Sequence, residues 1–264
     1  MNSNMQRLTL RIGRNAMGVL AQDEEDGGLA YEPIVVKSGI SMAANLREAL
    51  KSSDLLSQPC NRLRVLIDSD VLMVPVELFS EQTMEEMYNH AFTRQDQNTV
   101  LYNVLPDLNA VAVFSMNKDL RLVLNDHYND IRLISAISPV WRYLHQRSFT
   151  GSRQKLYAYF HEKRLELFAF QQNRFVFCNT FKASRVPDAL YFMLYVWKQL
   201  QLRPKYDDLC LVGDIPMENS LVAQLKKFVQ NPVVISPQVD FNMHPVTTIN
   251  GVPFDLQTLV VKGR

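Results

Sequence analysis

Residues Gly13-Arg14-Asn15-Ala16-Met17-Gly18 have the glycine spacing of a phosphate-binding loop, whose backbone N–H groups cradle phosphate oxygens. Such a loop ends in Lys and Ser or Thr, which reach the phosphates and magnesium; Val19-Leu20 stands there instead, so a hairpin turn accounts better for the glycines. Asp68 and Asp70 are paired carboxylates at the end of an apolar run, where one could serve as a general base, although Asp-Ser-Asp is also ordinary turn chemistry and the turn is the preferred reading. Nucleophilic catalysis lacks its signature: there is no Gly-x-Ser-x-Gly elbow, and Ser135, Ser138 and Ser148 read as strand end, helix cap and loop. The five histidines, His90, His127, His145, His161 and His244, have no paired spacing, and the three cysteines form no Cys-x-x-Cys, so no metal site is expected. Arg142, Arg147, Arg153 and Lys155 make a basic stretch with Tyr143, Phe149 and Tyr157 nearby, a pattern that could stack and hold RNA if it shared one face. The acidic run Asp23 to Asp26 reads as a solvated connection, or as a contact for a basic partner.

The chain that must position these groups has 264 residues, 47% of them hydrophobic, with 28 Lys and Arg against 27 Asp and Glu. It is too apolar for disorder and long enough for one large domain or two modest ones. A net charge of +1 argues against a dedicated nucleic-acid binder, which needs surplus cations for phosphate. Cys60, Cys178 and Cys210, an odd number in or beside apolar segments, suit buried thiols in a reducing compartment. No stretch is apolar enough for a signal peptide or a membrane span, so a cytoplasmic location is expected.

Alternation in Leu8 to Ile12 predicts a strand, followed by a turn at Gly13 to Asn15, a returning strand at Ala16 to Ala21 and a third at Pro33 to Lys37. Ser41 caps a predicted helix through Lys51, and Leu63 to Ile67 is a parallel strand that Val71 to Val74 extends beyond a corner. Thr83 and Glu86 read as a capping box for a helix, Thr99 to Leu105 and Ala110 to Ser115 as a hairpin, and Asn117 as a cap. Ile131 to Ser135 is the next strand and Ser138-Pro139 opens a helix. From Gln154 the pattern restarts, with strands at Leu156 to Phe160, Leu165 to Phe170 and Arg174 to Phe181, then a helix from Pro187 to Leu202. That helix is apolar almost all round and is expected to be buried on several faces. Asp208 to Val212 and Val233 to Ile235 read as strands. Between them Asn219 or Ser220 caps a helix with Leu221, Val222, Leu225, Phe228 and Val229 inward, and Leu256 to Val261 reads as a strand of unassigned place. Two successive halves, 1–150 and 151–264, each with a three-strand meander followed by parallel strands and helices, imply an internal duplication of an α/β fold. The first half has an inserted subdomain at about 72–115.

This order, with Leu66-Ile67-Asp68-Ser69, Val74-Pro75-Val76-Glu77-Leu78-Phe79, Tyr102-Asn103-Val104-Leu105-Pro106 and Leu211-Val212-Gly213-Asp214, resembles a bacterial family of uncharacterised proteins with an actin-like ATPase (ribonuclease H-like) fold. More distantly it is similar to the actin-like proteins of cell division and type IV pilus assembly. The resemblance implies an Asp-x-Gly in the first hairpin of each half and a Gly-Gly turn against the nucleotide. Here the first reads Arg11-Ile12-Gly13, the second hairpin turn Phe160-His161-Glu162-Lys163-Arg164, and the third Gly213-Asp214. A guanidinium cannot ligate magnesium, which takes oxygen ligands. Arg11, Gly13, His161, Gly213 and Asp214 thus mark a degenerate nucleotide cleft, with no catalytic residue, cofactor or metal expected. The expected function is a non-catalytic intracellular scaffold or adaptor acting on an unidentified protein partner, chiefly through the insertion. The alternatives are a diverged ATP-binding kinase or ATPase using Asp68, Asp214 or Glu162, and an RNA-associated protein.

Overall fold

A computed structural model describes residues 6–23, 27–60, 62–93, 96–149 and 153–262. Alternation dictates the first sheet: Leu8, Leu10 and Ile12 of β1 (Gln6–Ile12) face one core, while Thr9 and Arg11 face the other side. β1 pairs antiparallel with β2 (Met17–Asp23), which pairs antiparallel with β3 (Leu29–Ile34). The third strand therefore lies before the expected Pro33 to Lys37. Pro33 sits near its end, which an edge strand tolerates because no ladder bond is lost on the open side. Glu24, Glu25 and Asp26 of the acidic run lie outside the described residues.

α1 (Met42–Ser52) starts where expected, Ser41 Oγ accepting from Ala44 N at 3.1 Å, and lays Ala43, Leu46 and Ala49 on the β1 core. β4 (Leu63–Ile67) then runs parallel beside β1. β5 (Val71–Pro75), α2 (Met84–Ala91), β6 (Asn98–Leu105) and β7 (Ala110–Asn117) follow, with β5, β7 and β6 forming a separate antiparallel sheet across the stretch read as an insertion. α2 packs Tyr88, Met84 and Met87 on that sheet. No capping box forms, because Thr83 has helical backbone angles and its hydroxyl is directed to Met87 Sδ, 3.8 Å away. Asn117 does cap α3 (Lys118–His127), and β8 (Ile131–Ser135) completes the order β3-β2-β1-β4-β8 before α4 (Ile137–Ser148). Asn103 of β6 seals the free edge of β8: its amide nitrogen donates to Leu133 O (3.0 Å) and its oxygen accepts from Ser135 N (2.8 Å).

The second sheet repeats the design with β9 (Lys155–His161), β10 (Arg164–Gln171), β11 (Arg174–Lys182), α5 (Val186–Gln199) and β12 (Asp208–Gly213). α6 (Glu218–Leu225) and β13 (Pro232–Val234) complete it in the order β11-β10-β9-β12-β13. Both five-stranded sheets thus have an antiparallel meander flanked by two parallel strands in the same succession. α5 is not buried all round: Ala189, Met193, Val196 and Trp197 face the core while Tyr191 and Tyr195 face solvent, the helix covering one side of the sheet only. α6 is preceded by Met217 in a left-handed conformation, so Asn219 and Ser220 lie inside the helix instead of capping it, and Phe228 points outward.

After α7 (Pro237–Asp240) the tail forms α8 (Phe254–Lys262), a helix where a strand was expected. Its Leu256 and Leu259 pack with Leu20, Leu66 and Ala136 on the second face of the first sheet. The compact units accordingly do not follow a division after residue 150. One comprises Met1–Pro106, Ala110–Val140 and His244–Arg264, the other Asp107–Asn109 and Trp141–Met243.

Candidate functional site

At the carboxyl ends of β1 and β4 the first unit holds a cavity of about 460 Å³, a size suited to a small ligand. Gly13 and Arg14 of the β1–β2 turn, Asp68 and Asp70 beyond β4, Tyr88 of α2 and Lys118 of α3 contribute to its wall. The turn is closed by Gly13 N donating to Ala16 O at 2.7 Å. The described glycines with positive φ are Gly27, Gly213 and Gly251, so Gly13 makes its turn without the left-handed angles that favour glycine. Gly18 owes its identity to packing: a Cβ there would lie 2.5 Å from Tyr31 Oη, across the strand from Arg11. The phosphate-loop spacing is therefore a hairpin that must admit a tyrosine ring.

Arg11 is 3% exposed and lies on the sheet face that α8 covers. Its Nε donates to both carboxylate oxygens of Asp255 at 2.9 Å, and a terminal nitrogen is 3.9 Å from Asp68 Oδ2. Asp255 also accepts from Leu256 N at 2.7 Å, so the buried carboxylate is well supplied with donors. Arg14 reaches the other side of Asp68, Nε at 4.0 Å, and pairs with Asp70 at 2.8 Å. The Asp68 side chain, 4% exposed, is thereby flanked by two guanidinium groups. Burial pushes the Tyr31 hydroxyl up, with Arg11 working against that rise and Asp255 adding to it. Asp255 escaped sequence reasoning because it stands just before Leu256 to Val261, which reads as a strand; the helix Phe254–Lys262 takes it in and brings it to Arg11.

In the second unit His161 turns into its own sheet. It is buried, stacks on Tyr159 with ring centroids 4.7 Å apart, and its Nε2 is 3.3 Å from Glu166 Oε1. The hairpin closes in two residues, Glu162 and Lys163, both left-handed, which leaves no loop comparable to Gly13–Ala16. Gly213 has φ +91°, and a Cβ on it would lie 2.1 Å from Phe160 O, so glycine is required where β12 ends beside β9. Asp214 N donates to Phe160 O at 2.8 Å, just as Asp68 N donates to Ile12 O at 2.9 Å. Asp68 and Asp214 are counterparts in the two sheets. Gly13 and Asp68 share the cavity wall, Gly213 and Asp214 adjoin the end of β9 that carries His161, and Arg11 is turned away from the cavity to Asp255.

The basic stretch is engaged locally. Arg142 pairs with Asp107 (2.8 Å), Arg153 with Asp208 (3.1 Å) and Arg147 with Asp240, while Lys155 donates to the carbonyls of Arg147 and Ser148. Tyr157 is fully buried, so the stacking face required for RNA is absent from that ring. All three cysteines are free; burial pushes the Cys210 thiol up to about 12 and the Cys178 thiol well above its ordinary value. Among the described residues no helix is long and apolar enough to cross a membrane.

Residues 1–231 match the model of a family described as protein of unknown function, DUF3822. The chain belongs to the DUF3822 family. Its fold is that of actin-like ATPases: a Bacteroides thetaiotaomicron protein described as having an actin-like ATPase fold and unknown function superposes with a TM-score of 0.84 at 26% identity. That alignment covers 94% of this chain and 97% of the other. A chain of the PilM–PilN type IV pilus biogenesis complex superposes with a TM-score of 0.55 at 13% identity, over 98% of this chain and 99% of that one. No curated protein matches this DUF3822 member.

Proposed function

We propose that the protein is a non-catalytic actin-fold module that acts inside the cell as a scaffold or adaptor, through protein contacts. The observation that carries the reading is the Arg11–Asp255 pair. Where the resemblance calls for a carboxylate to hold the metal's water, the chain has a cation, and its charge is matched by its own C-terminal helix. The two-residue turn at Glu162 and Lys163, with His161 buried behind it, supports the same reading for the second hairpin. The insertion is the proposed contact surface, since Val76, Leu78 and Val104 are exposed apolar residues on it, Leu78 at 69%. The PilM–PilN structure is of a protein complex, which makes partner binding a natural use of this fold.

Titration calorimetry with magnesium-ATP tests the inert cleft. No binding tighter than about 100 μM, or roughly 5.5 kcal/mol, is expected; tighter binding would replace the adaptor with the ATP-binding alternative. For the contact surface, Leu78→Asp with Val104→Asp should abolish partner capture in a pull-down while leaving the melting profile intact. Point changes are preferable to deletion, because Phe114 and Met116 of the insertion's central strand are part of the main core. An unaltered capture profile would remove the insertion from the proposal.

A further inference from the structure

Among the described residues the second sheet ends at β11, a strand of nine residues paired on one side only, to β10. Thr180 N on its outer side already donates to Asn179 Oδ1 at 2.8 Å, and the other outer backbone N–H and C=O groups form a template for another strand. Beside it lies a run of rings. Phe181 of β11 stacks on Phe192 of α5 at 4.4 Å, Tyr191 meets Phe192 at 5.3 Å, and Tyr191 stacks on Tyr195 at 6.1 Å. Tyr191 is 62% exposed, Tyr195 50%, and Val176 on the strand itself 51%. An exposed aromatic run beside the outer edge of a strand offers two modes of attachment, main-chain hydrogen bonds and apolar anchoring.

Charge decides what fits. Exposed Arg174 and Lys182 stand at the two ends of β11, Arg185 follows, and Lys163 lies alongside, its carbonyl accepting from Ala183 N at 3.2 Å; against these four cations stands exposed Asp188 in the first turn of α5. Two copies of β11 paired antiparallel about its centre would oppose Arg174 to Lys182, and like charges directly opposed destabilise a sheet. A second copy of the chain is therefore repelled by the feature that would attract a negative strand. RNA could use the rings and cations, but it has no groups to match a ladder of peptide donors and acceptors. We infer that the β11 edge, with the aromatic run of α5 beside it, takes an extended acidic segment of a partner protein as an added strand. This rests on the reading of the protein as a contact module but uses a different surface from the insertion.

The test uses the full chain and two labelled synthetic peptides with a Val/Thr core, one flanked by glutamates and one by lysines, followed by fluorescence anisotropy. The glutamate peptide should bind about tenfold more tightly at low salt, and Arg174→Glu with Lys182→Glu should reverse the preference. Tyr191→Ala with Tyr195→Ala, which removes no core atom, should weaken the glutamate peptide severalfold. The proposal is overturned by equal affinity for the two peptides, by no binding of either, by indifference to the charge reversal, or by oligouridylate binding more tightly than the glutamate peptide. A positive magnesium-ATP titration would undo the inert cleft without altering any of these readings, so the two failures are distinguishable.

Discussion

The two five-stranded sheets share strand order, and an aspartate beyond the fourth strand donates its N–H to the first strand in both, yet their hairpin ends are held by opposite means. In the first sheet, four residues loop from Ile12 to Met17 and a buried ion pair to a distant helix fixes the strand beneath. In the second, two left-handed residues close the turn, and a glycine lets β12 crowd β9. Backbone topology survives duplication because it depends on patterned burial. The ends carry no such constraint, so each half has found its own solution, one electrostatic and one steric.

Removing the electrostatic solution should have the largest effect. Asp255→Ala leaves Arg11 buried without its main partner and should cost about 3–5 kcal/mol in urea unfolding, whereas Arg11→Met combined with Asp255→Leu should recover most of that loss. A single-variant cost below about 1 kcal/mol would mean that the pair does not hold α8 on the sheet. The steric solution comes next: Gly213→Ala must place a Cβ 2.1 Å from a carbonyl at positive φ and should cost about 3 kcal/mol. Gly13→Ala, at the corresponding end of the first sheet, should cost less than about 0.5 kcal/mol by the same measurement. Equal costs would erase the contrast between the sheets.

The smallest effect near neutrality concerns the thiols. Cys210 is raised from 9.0 to about 12, chiefly by burial and against the pull of Arg147, so the folded state keeps a proton that the unfolded state releases. Its contribution is complete below pH 9 and is lost as pH rises from 9 toward 12. Cys210→Ala should flatten the stability profile at the start of that interval, while Cys60→Ala, at a half-exposed thiol of the first unit, should change it less. An unchanged slope in the Cys210 variant would refute the assignment.

Most of the architecture was legible because alternation and caps act locally. Leu8, Leu10 and Ile12 announce their strand, and Ser41 and Asn117 cap the helices assigned to them. The failures are non-local. Leu256 to Val261 is a short apolar run that suits strand or helix, and what decides it is the face of the first sheet it must cover, which no local pattern reveals. The site suffered from the same blindness. Arg11 was recognisable as a cation out of place, but its partner lies 244 residues away, immediately before the misread segment. Thr83 and Asn219 show the converse, good capping residues overruled by the backbone path on either side.

Asn103 closes the rim of the first sheet from a neighbouring strand, whereas on β11 Asn179 occupies only the adjacent Thr180 N. With Leu133 O and Ser135 N both engaged, the outermost parallel strand has no vacant rung midway along its rim, and one carboxamide substitutes for a sixth strand. Conversion of that carboxamide to a carboxylate would keep the bond from Ser135 N but set an anion against the Leu133 carbonyl, so the seal on that rim hangs on a single amide nitrogen.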